Sequence, residues 1–326
     1  MSQPLPATPP VDELRRRLAA AEAQLNRVVL GKARQVKLAL ACLVAGGHLL
    51  LEDVPGVGKT TLAHALAASF ALEFQRVQFT SDLLPSDILG VSVYERETGQ
   101  FRFHPGPIFG GLLLADEINR TAPKTQSALL EAMAERQVTV DGSTHKLADP
   151  FFVVATSNPV EYEGTYPLPE AQLDRFMVRL AIGYPTADAE VDVLARRLAR
   201  RTEWAPVNRV VDAGTLRAMQ AGVEAVAVDH DVLRYCVDLA AATRSHPAVE
   251  VGASPRGSQA LMLVGRALAV LDGRDFVLPE DVKQVAVAAL AHRLSLTPQA
   301  WATGTLPQAV VRDVLEHVPG PTTARG

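Results

Sequence analysis

Three short runs hold the residue types that phosphoryl chemistry needs. The first is Asp53-Val54-Pro55-Gly56-Val57-Gly58-Lys59-Thr60. It follows the apolar run Leu49–Leu51 and precedes the helix-forming Thr61-Leu62-Ala63-His64-Ala65-Leu66. A strand, a glycine-rich loop and a helix in that order make a phosphate-binding loop. Gly56 and Gly58 let successive backbone N–H groups turn toward an anion, and the helix amino terminus adds its positive end. Lys59 can reach β- and γ-phosphates, and the Thr60 hydroxyl can ligate Mg2+. Residues 53–61 are therefore the candidate nucleotide contacts, Thr61 included. One departure stands: Asp53 takes the place of the first glycine of the general pattern. Turned inward its carboxylate would repel phosphate, so it is expected to point away from the loop. The competing reading is a glycine-rich turn without a ligand.

The second run is Leu112-Leu113-Leu114-Ala115-Asp116-Glu117. An apolar strand ending in two carboxylates puts charge at the carboxyl edge of a sheet, where open α/β folds bind ligands. Asp116 is expected to hold Mg2+ through water, and Glu117 to polarise an attacking water as general base. Alone, such a pair is often no more than a helix cap; behind a phosphate loop it has a catalytic task. The third run is Phe151-Phe152-Val153-Val154-Ala155-Thr156-Ser157-Asn158-Pro159. Asn158 follows a buried strand and could share the attacking water with Glu117. A lone Asn-Pro is usually a turn. A strand lying between those that end in Asp116 and in the phosphate loop would give Asn158 more to do.

The rest of the chain has to position these runs. Short apolar runs at Leu49–Leu51, Arg76–Phe79, Leu112–Ala115, Phe151–Ala155 and Arg179–Ile182 alternate with helical stretches. They do not alternate with period two, so they suit strands buried on both faces of a parallel sheet between helices. The expected fold is an α/β three-layer sandwich around a five-stranded parallel sheet, followed by an all-helical part. Two segments do alternate. Val91 and Val93, a turn at Glu97-Thr98-Gly99, then Phe101 and Phe103 read as one hairpin; Val138 and Val140, Asp141-Gly142, then Thr144 to Leu147 read as another. Residues 1–10 read as a disordered tail, 11–185 as the α/β domain with both hairpins, 186–318 as helices only, and 319–326 as a flexible tail. Asp212, Ser254-Pro255 and Pro279 open helices within the third part.

With 326 residues, 48% of them apolar, and a net charge of −4, the chain reads as globular and has no global attraction to nucleic acid or anionic lipid. Its longest apolar run, from Leu38 to Gly47, is too short for a membrane span. The first residues do not read as a secretory signal. Cys42 and Cys236 read as buried thiols, and a cytoplasmic protein is expected. The pairs and triplets at Arg15-Arg16-Arg17, Arg196-Arg197 and Arg200-Arg201 read as solvated faces.

Together the three runs resemble the AAA+ ATPases. VVLGK at 28–32, FRFHPGPIF at 101–109, ATSNPVEYEGTYPLPEAQLDRF at 155–176 and ASPRG at 253–257 are similar to the MoxR branch, over roughly residues 12–318. The resemblance implies ATP and Mg2+ as cofactors. It implies that Arg175 is an arginine finger acting on a neighbouring subunit's γ-phosphate, that Arg256 is a sensor arginine on the first turn of a lid helix, and that Val28, Val29 and Gly31 border the adenine. The plainer alternatives are an Asp174–Arg175 surface pair and a solvated Arg256. The resemblance also implies a homo-hexameric ring that remodels or activates a partner bearing a von Willebrand A domain. ATP would lie between the two domains, and hydrolysis would swing the lid. A DNA motor is the first alternative, disfavoured by weakly basic hairpin tips (Glu95, Arg96 and Glu97; Asp141, His145 and Lys146). A non-hydrolysing scaffold and a metal-chelatase motor subunit are the others.

Overall fold

The computed structural model describes residues 11–159, 164–202 and 204–321. The expected tail at 1–10, most of that at 319–326, and residues 160–163 of the run at 155–176 lie outside it. Helices α1 (Val11–Val28) and α2 (Ala33–Val44) lead into β1 (Leu49–Glu52), α3 (Lys59–Ser69) and β2 (Phe74–Gln78). Next come α4 (Pro85–Leu89), the hairpin β3 (Gly90–Glu95) and β4 (Gln100–Pro105), β5 (Leu112–Asp116) and α5 (Pro123–Glu135). The second hairpin, β6 (Gln137–Val140) and β7 (Ser143–Lys146), precedes β8 (Phe152–Ser157), α6 (Glu170–Leu173) and β9 (Val178–Leu180).

β1, β2, β5, β8 and β9 form one parallel sheet in the order β2-β5-β8-β1-β9. The central strands are apolar up to their carboxyl ends because both faces are covered. Leu49, Leu51, Leu112, Leu114, Phe152 and Val154 enter one core, while Leu50, Leu113, Ala115, Val153 and Ala155 enter the other. β2 departs from the expectation of burial on both faces. It is an edge strand with mostly half-exposed side chains, which is why it tolerates Arg76 and Gln78. Parallel pairing brings the carboxyl ends of β1, β2, β5 and β8 to one edge. The phosphate loop, Gln78, Asp116-Glu117 and Asn158 all emerge there.

The second hairpin turns through Asp141 (φ 48°) and Gly142 (φ 77°), the left-handed pair that a two-residue hairpin loop favours. The two hairpins touch: the Phe103 ring stacks on His145, with centroids 3.9 Å apart.

The remainder comprises α7 (Ala187–Arg200), α8 (Ala213–Glu224), α9 (His230–Ser245), β10 (Val249–Val251), α10 (Pro255–Leu271), α11 (Pro279–Leu290), β11 (Ser295–Leu296), α12 (Pro298–Ala302) and α13 (Pro307–His317). Asp212 caps α8 by accepting from the Thr215 N–H at 2.8 Å, and Ser254 caps α10. The part is not purely helical: β10 and β11 form a small antiparallel pair. Strands of three and two residues are too short to leave a period in the sequence. One apolar core runs without a break from Leu18 of α1 and Leu40 of α2, through Leu49 and Leu51, to Leu261 of α10 and Val285 of α11. Both cysteines are buried within it, and burial pushes the Cys236 thiol up to about 12.

Two histidines are buried as neutral rings. His48 Nδ1 accepts from the Val153 N–H (3.0 Å), and Nε2 lies 3.4 Å from the Met133 carbonyl. Burial, helped by Arg136, pushes His48 down to about 4. Burial and Arg293 push His292 well below its ordinary value. In both cases the unfolded chain takes up the proton first. Their stabilisation is complete above about pH 6.5 and is lost as pH falls through the folded pKa. His48 alone is expected to cost about 1.5 kcal/mol between pH 6.5 and pH 5. Urea unfolding at the two pH values measures it; an unchanged free energy would contradict the neutral rings.

Candidate functional site

α3 begins at Lys59, and its N-cap, Gly58, has φ 98°; Gly56 has φ 81°. A Cβ at either glycine would meet nothing within 4 Å. The glycines are therefore required by the left-handed backbone rather than by crowding. That backbone opens a recess of about 290 Å3 lined by Pro55, Gly56, Gly58, Lys59, Thr60, Thr61, Asp116, Glu117, Thr156 and Asn158. The Lys59 ammonium donates to the carbonyls of Asp53 (2.5 Å) and Val54 (3.2 Å). The Asp53 carboxylate accepts from the N–H groups of Val54 (2.8 Å) and Gly183 (2.5 Å). It thus braces the loop against the chain leaving β9 instead of entering the recess. Asp53, Val54 and Val57 do not line it.

Thr156 organises the carboxylate wall. Its hydroxyl donates to Asp116 Oδ1 at 2.6 Å and accepts from the Glu117 N–H at 2.8 Å. Asp116 Oδ2 accepts from Arg76 at 2.7 Å. Glu117 has a left-handed backbone, φ 59°, which is uncommon for a residue with a side chain. Its Oε2 accepts from Gln78 Nε2 (2.7 Å) and from Arg120 (3.0 Å). Asn158 is buried beside this wall, and its carbonyl accepts from Asn119 Nδ2 at 3.3 Å. Gln78, Arg76, Arg120 and Thr156 were not legible as site residues. The usable hint for Gln78 is its place at the end of the strand preceding the acidic one.

The adenine candidates Val28, Val29 and Gly31 lie outside this recess. Gly31 has φ 69°, and a Cβ there would stand 3.2 Å from that of Ala189. Lys32 Nζ donates to the Tyr184 carbonyl (2.8 Å). The 28–32 segment therefore packs on the stretch 184–189. Arg175 and Arg256 also lie elsewhere. They line a second recess of about 290 Å3, together with Arg136, Arg293, Met133 and Leu263. Arg175 donates to the Leu130 carbonyl at 2.9 Å. Asp174 does not pair with it: its carboxylate accepts from Arg293 Nε (2.7 Å) and Ser254 Oγ (2.9 Å). The surface-pair alternative thus gives way to a buried brace joining the Arg175 segment to the cap of the Arg256 helix. The first recess is lined by the α/β part alone.

Thr60 and Asp116 offer hard oxygen donors suited to Mg2+, which is normally held by one or two carboxylates together with substrate phosphates. Among the described residues no group of three His, Cys, Asp or Glu converges on a metal position. Thr60 and Asp116, which both line the recess, fit a magnesium ion carried in with a nucleotide.

Residues 48–178 match the family model described as the ATPase family associated with various cellular activities, and residues 241–314 match an AAA lid domain. The uncharacterised protein YeaC of Bacillus subtilis is 50% identical over 95% of this chain and 97% of its own. The chaperone MoxR1 of Mycobacterium tuberculosis is 39% identical over 90% of this chain and 80% of its own. A crystal structure of a candidate ATPase from Cytophaga hutchinsonii superimposes with a TM-score of 0.88 at 37% identity, covering 96% of this chain and 97% of that one.

Proposed function

The chain belongs to the MoxR family of AAA+ ATPases, and from that premise we propose that it hydrolyses ATP as one subunit of a cytoplasmic homo-oligomeric ring, a hexamer by family resemblance. The phosphate loop, Asp116, Glu117 and Asn158 share one recess, while Arg175 and Arg256 stand together in another. That separation supports a site completed by the next subunit. Backbone N–H groups of the loop, Lys59 and the amino end of α3 hold the triphosphate. Thr60 and Asp116 would hold the magnesium ion, which would screen phosphate charge. Glu117 takes the proton of the attacking water, Asn158 helps to orient that water, and Arg175 and Arg256 meet charge developing on the phosphate. Val28, Val29 and Gly31 border the base.

The work done with this cycle is remodelling or activation of a partner protein, one carrying a von Willebrand A domain by family resemblance. The description of MoxR1 as a chaperone supports that side of the reading. The touching hairpins would convey the motion. Among the described residues no helix is long and apolar enough to cross a membrane. Lys59→Ala tests the reading at its base. ATP affinity, measured by titration calorimetry with magnesium, is expected to fall at least tenfold, as loss of a charge-assisted phosphate contact requires. Unchanged affinity would remove the assignment of the loop.

A further inference from the structure

The sheet divides just where its chemistry begins. β5 pairs with β8 only as far as Ala115 and Ala155. Beyond that level β5 stays with β2, matching Asp116 to Gln78, while β8 stays with β1, matching Thr156 to Leu51. Thr156 stands at this division. It is fully buried and follows the apolar residues Phe152 to Ala155. A valine would fill the same space, and a hydroxyl there is costly unless it is bonded. Thr156 bonds twice. Its oxygen accepts from the Glu117 N–H at 2.8 Å, which leaves its single proton for Asp116 Oδ1 at 2.6 Å. One atom thus bridges the two strands where backbone pairing between them has ceased.

Each bond fixes a group that the proposed hydrolysis uses. Asp116 is held from two sides, by Thr156 on Oδ1 and by Arg76 on Oδ2. The Arg76 side chain is half exposed, so its ion pair is screened by water and adds little. The bond from Thr156 is buried and ends on a charged acceptor, which makes it the stronger restraint on the carboxylate plane. Glu117 is the first residue past β5 and has φ 59°, so its N–H needs a partner outside the ladder. Thr156 supplies it. Gln78 and Arg120 hold the far end of the same residue at Oε2, so backbone and carboxylate of Glu117 are restrained by different groups. A β-branched side chain has little rotamer freedom, which keeps the Asp116 and Glu117 contacts in constant relation.

We infer that Thr156 is a positioning residue of this site, setting the carboxylate of Asp116 and the backbone of Glu117 in one fixed geometry. The inference rests on the proposed ATP hydrolysis and assigns its alignment to a single hydroxyl. Thr156→Val removes that hydroxyl and keeps the shape, whereas Thr156→Ser keeps the hydroxyl. ATP binding is titrated by calorimetry with and without magnesium, beside steady-state phosphate release, and circular dichroism checks the fold. In Thr156→Val, affinity without magnesium is expected to match the parent, because the phosphate loop is untouched. The factor by which magnesium tightens ATP binding is expected to fall toward one, and kcat to drop by about tenfold or more, the scale of a lost contact behind a metal ligand. Thr156→Ser is expected to restore both, its looser rotamer costing no more than about threefold. A Thr156→Val protein that keeps the parent's magnesium response and kcat overturns the inference and leaves the proposed function standing. So does a Thr156→Ser protein as impaired as the valine variant, since packing and not the hydroxyl would then be at stake. A parent whose ATP binding is indifferent to magnesium and that releases no phosphate overturns the proposed function, and the inference with it. Should the unpaired Glu117 N–H keep Thr156→Val from folding, Thr156→Cys reads the same loss, because a thiol fills the place but donates weakly.

Discussion

Glu117→Gln is expected to bind ATP with near-normal affinity and to hydrolyse it at least about a hundredfold more slowly, the scale of a lost general base. The substitution keeps the size of the side chain. It removes the carboxylate that accepts from Gln78 and Arg120 and could accept a proton from water. The proposed phosphate contacts lie on the loop and α3 rather than on Glu117, so binding is expected to be spared. Single-turnover phosphate release at saturating ATP separates the two effects. Retained turnover would exclude Glu117 as the base. The bonds to Gln78 and Arg120 add a second reading of the same measurement: they hold the carboxylate in place, so variants there should lower kcat without replacing the base.

Arg175→Ala is expected to lower kcat by on the order of 10³, as loss of an arginine finger does in related phosphoryl transfer. Leu130 accepts one hydrogen bond from Arg175, and Asp174 beside it is fixed by Arg293 and Ser254. The guanidinium is thus held on a firm base away from its own phosphate loop. If it acts across a subunit boundary, mixing Arg175→Ala with Lys59→Ala should restore activity. One interface type pairs an intact loop with an intact finger. Random mixing at equal amounts puts about one quarter of head-to-tail interfaces in that state. Phosphate release across a mixing series measures the recovery, and absence of recovery at every ratio would place the finger's action within one chain.

What the sequence disclosed followed the range of the interactions concerned. The central strands were legible because Leu112–Leu114 and Phe152–Val154 must be apolar on both faces. Capping at Asp212 and Ser254 was legible because a cap acts within three residues. The phosphate loop is likewise a local device. Gln78 beside Glu117, and Thr156 between Asp116 and Glu117, depend on sheet register, and register is a property of strands far apart in the chain. The same holds for Asp174, whose partners lie 80 and 119 positions away. β10 and β11 escaped because five residues carry no measurable period. Arg175 and Arg256 came from family resemblance; their placement in a recess apart from the loop is a tertiary fact.

The uninterrupted apolar core has a mechanical consequence. Swinging the helical half away from the sheet would expose several of the leucines and valines shared with α1 and α2, at about 1.5–3 kcal/mol each. Such an opening would soon spend the free energy of a nucleotide cycle on wetting oil rather than on work. The shared core therefore resists such an opening, and in the proposed ring a turnover would be transmitted as one block tilting against the next. In such a ring the compliance would reside at its seams.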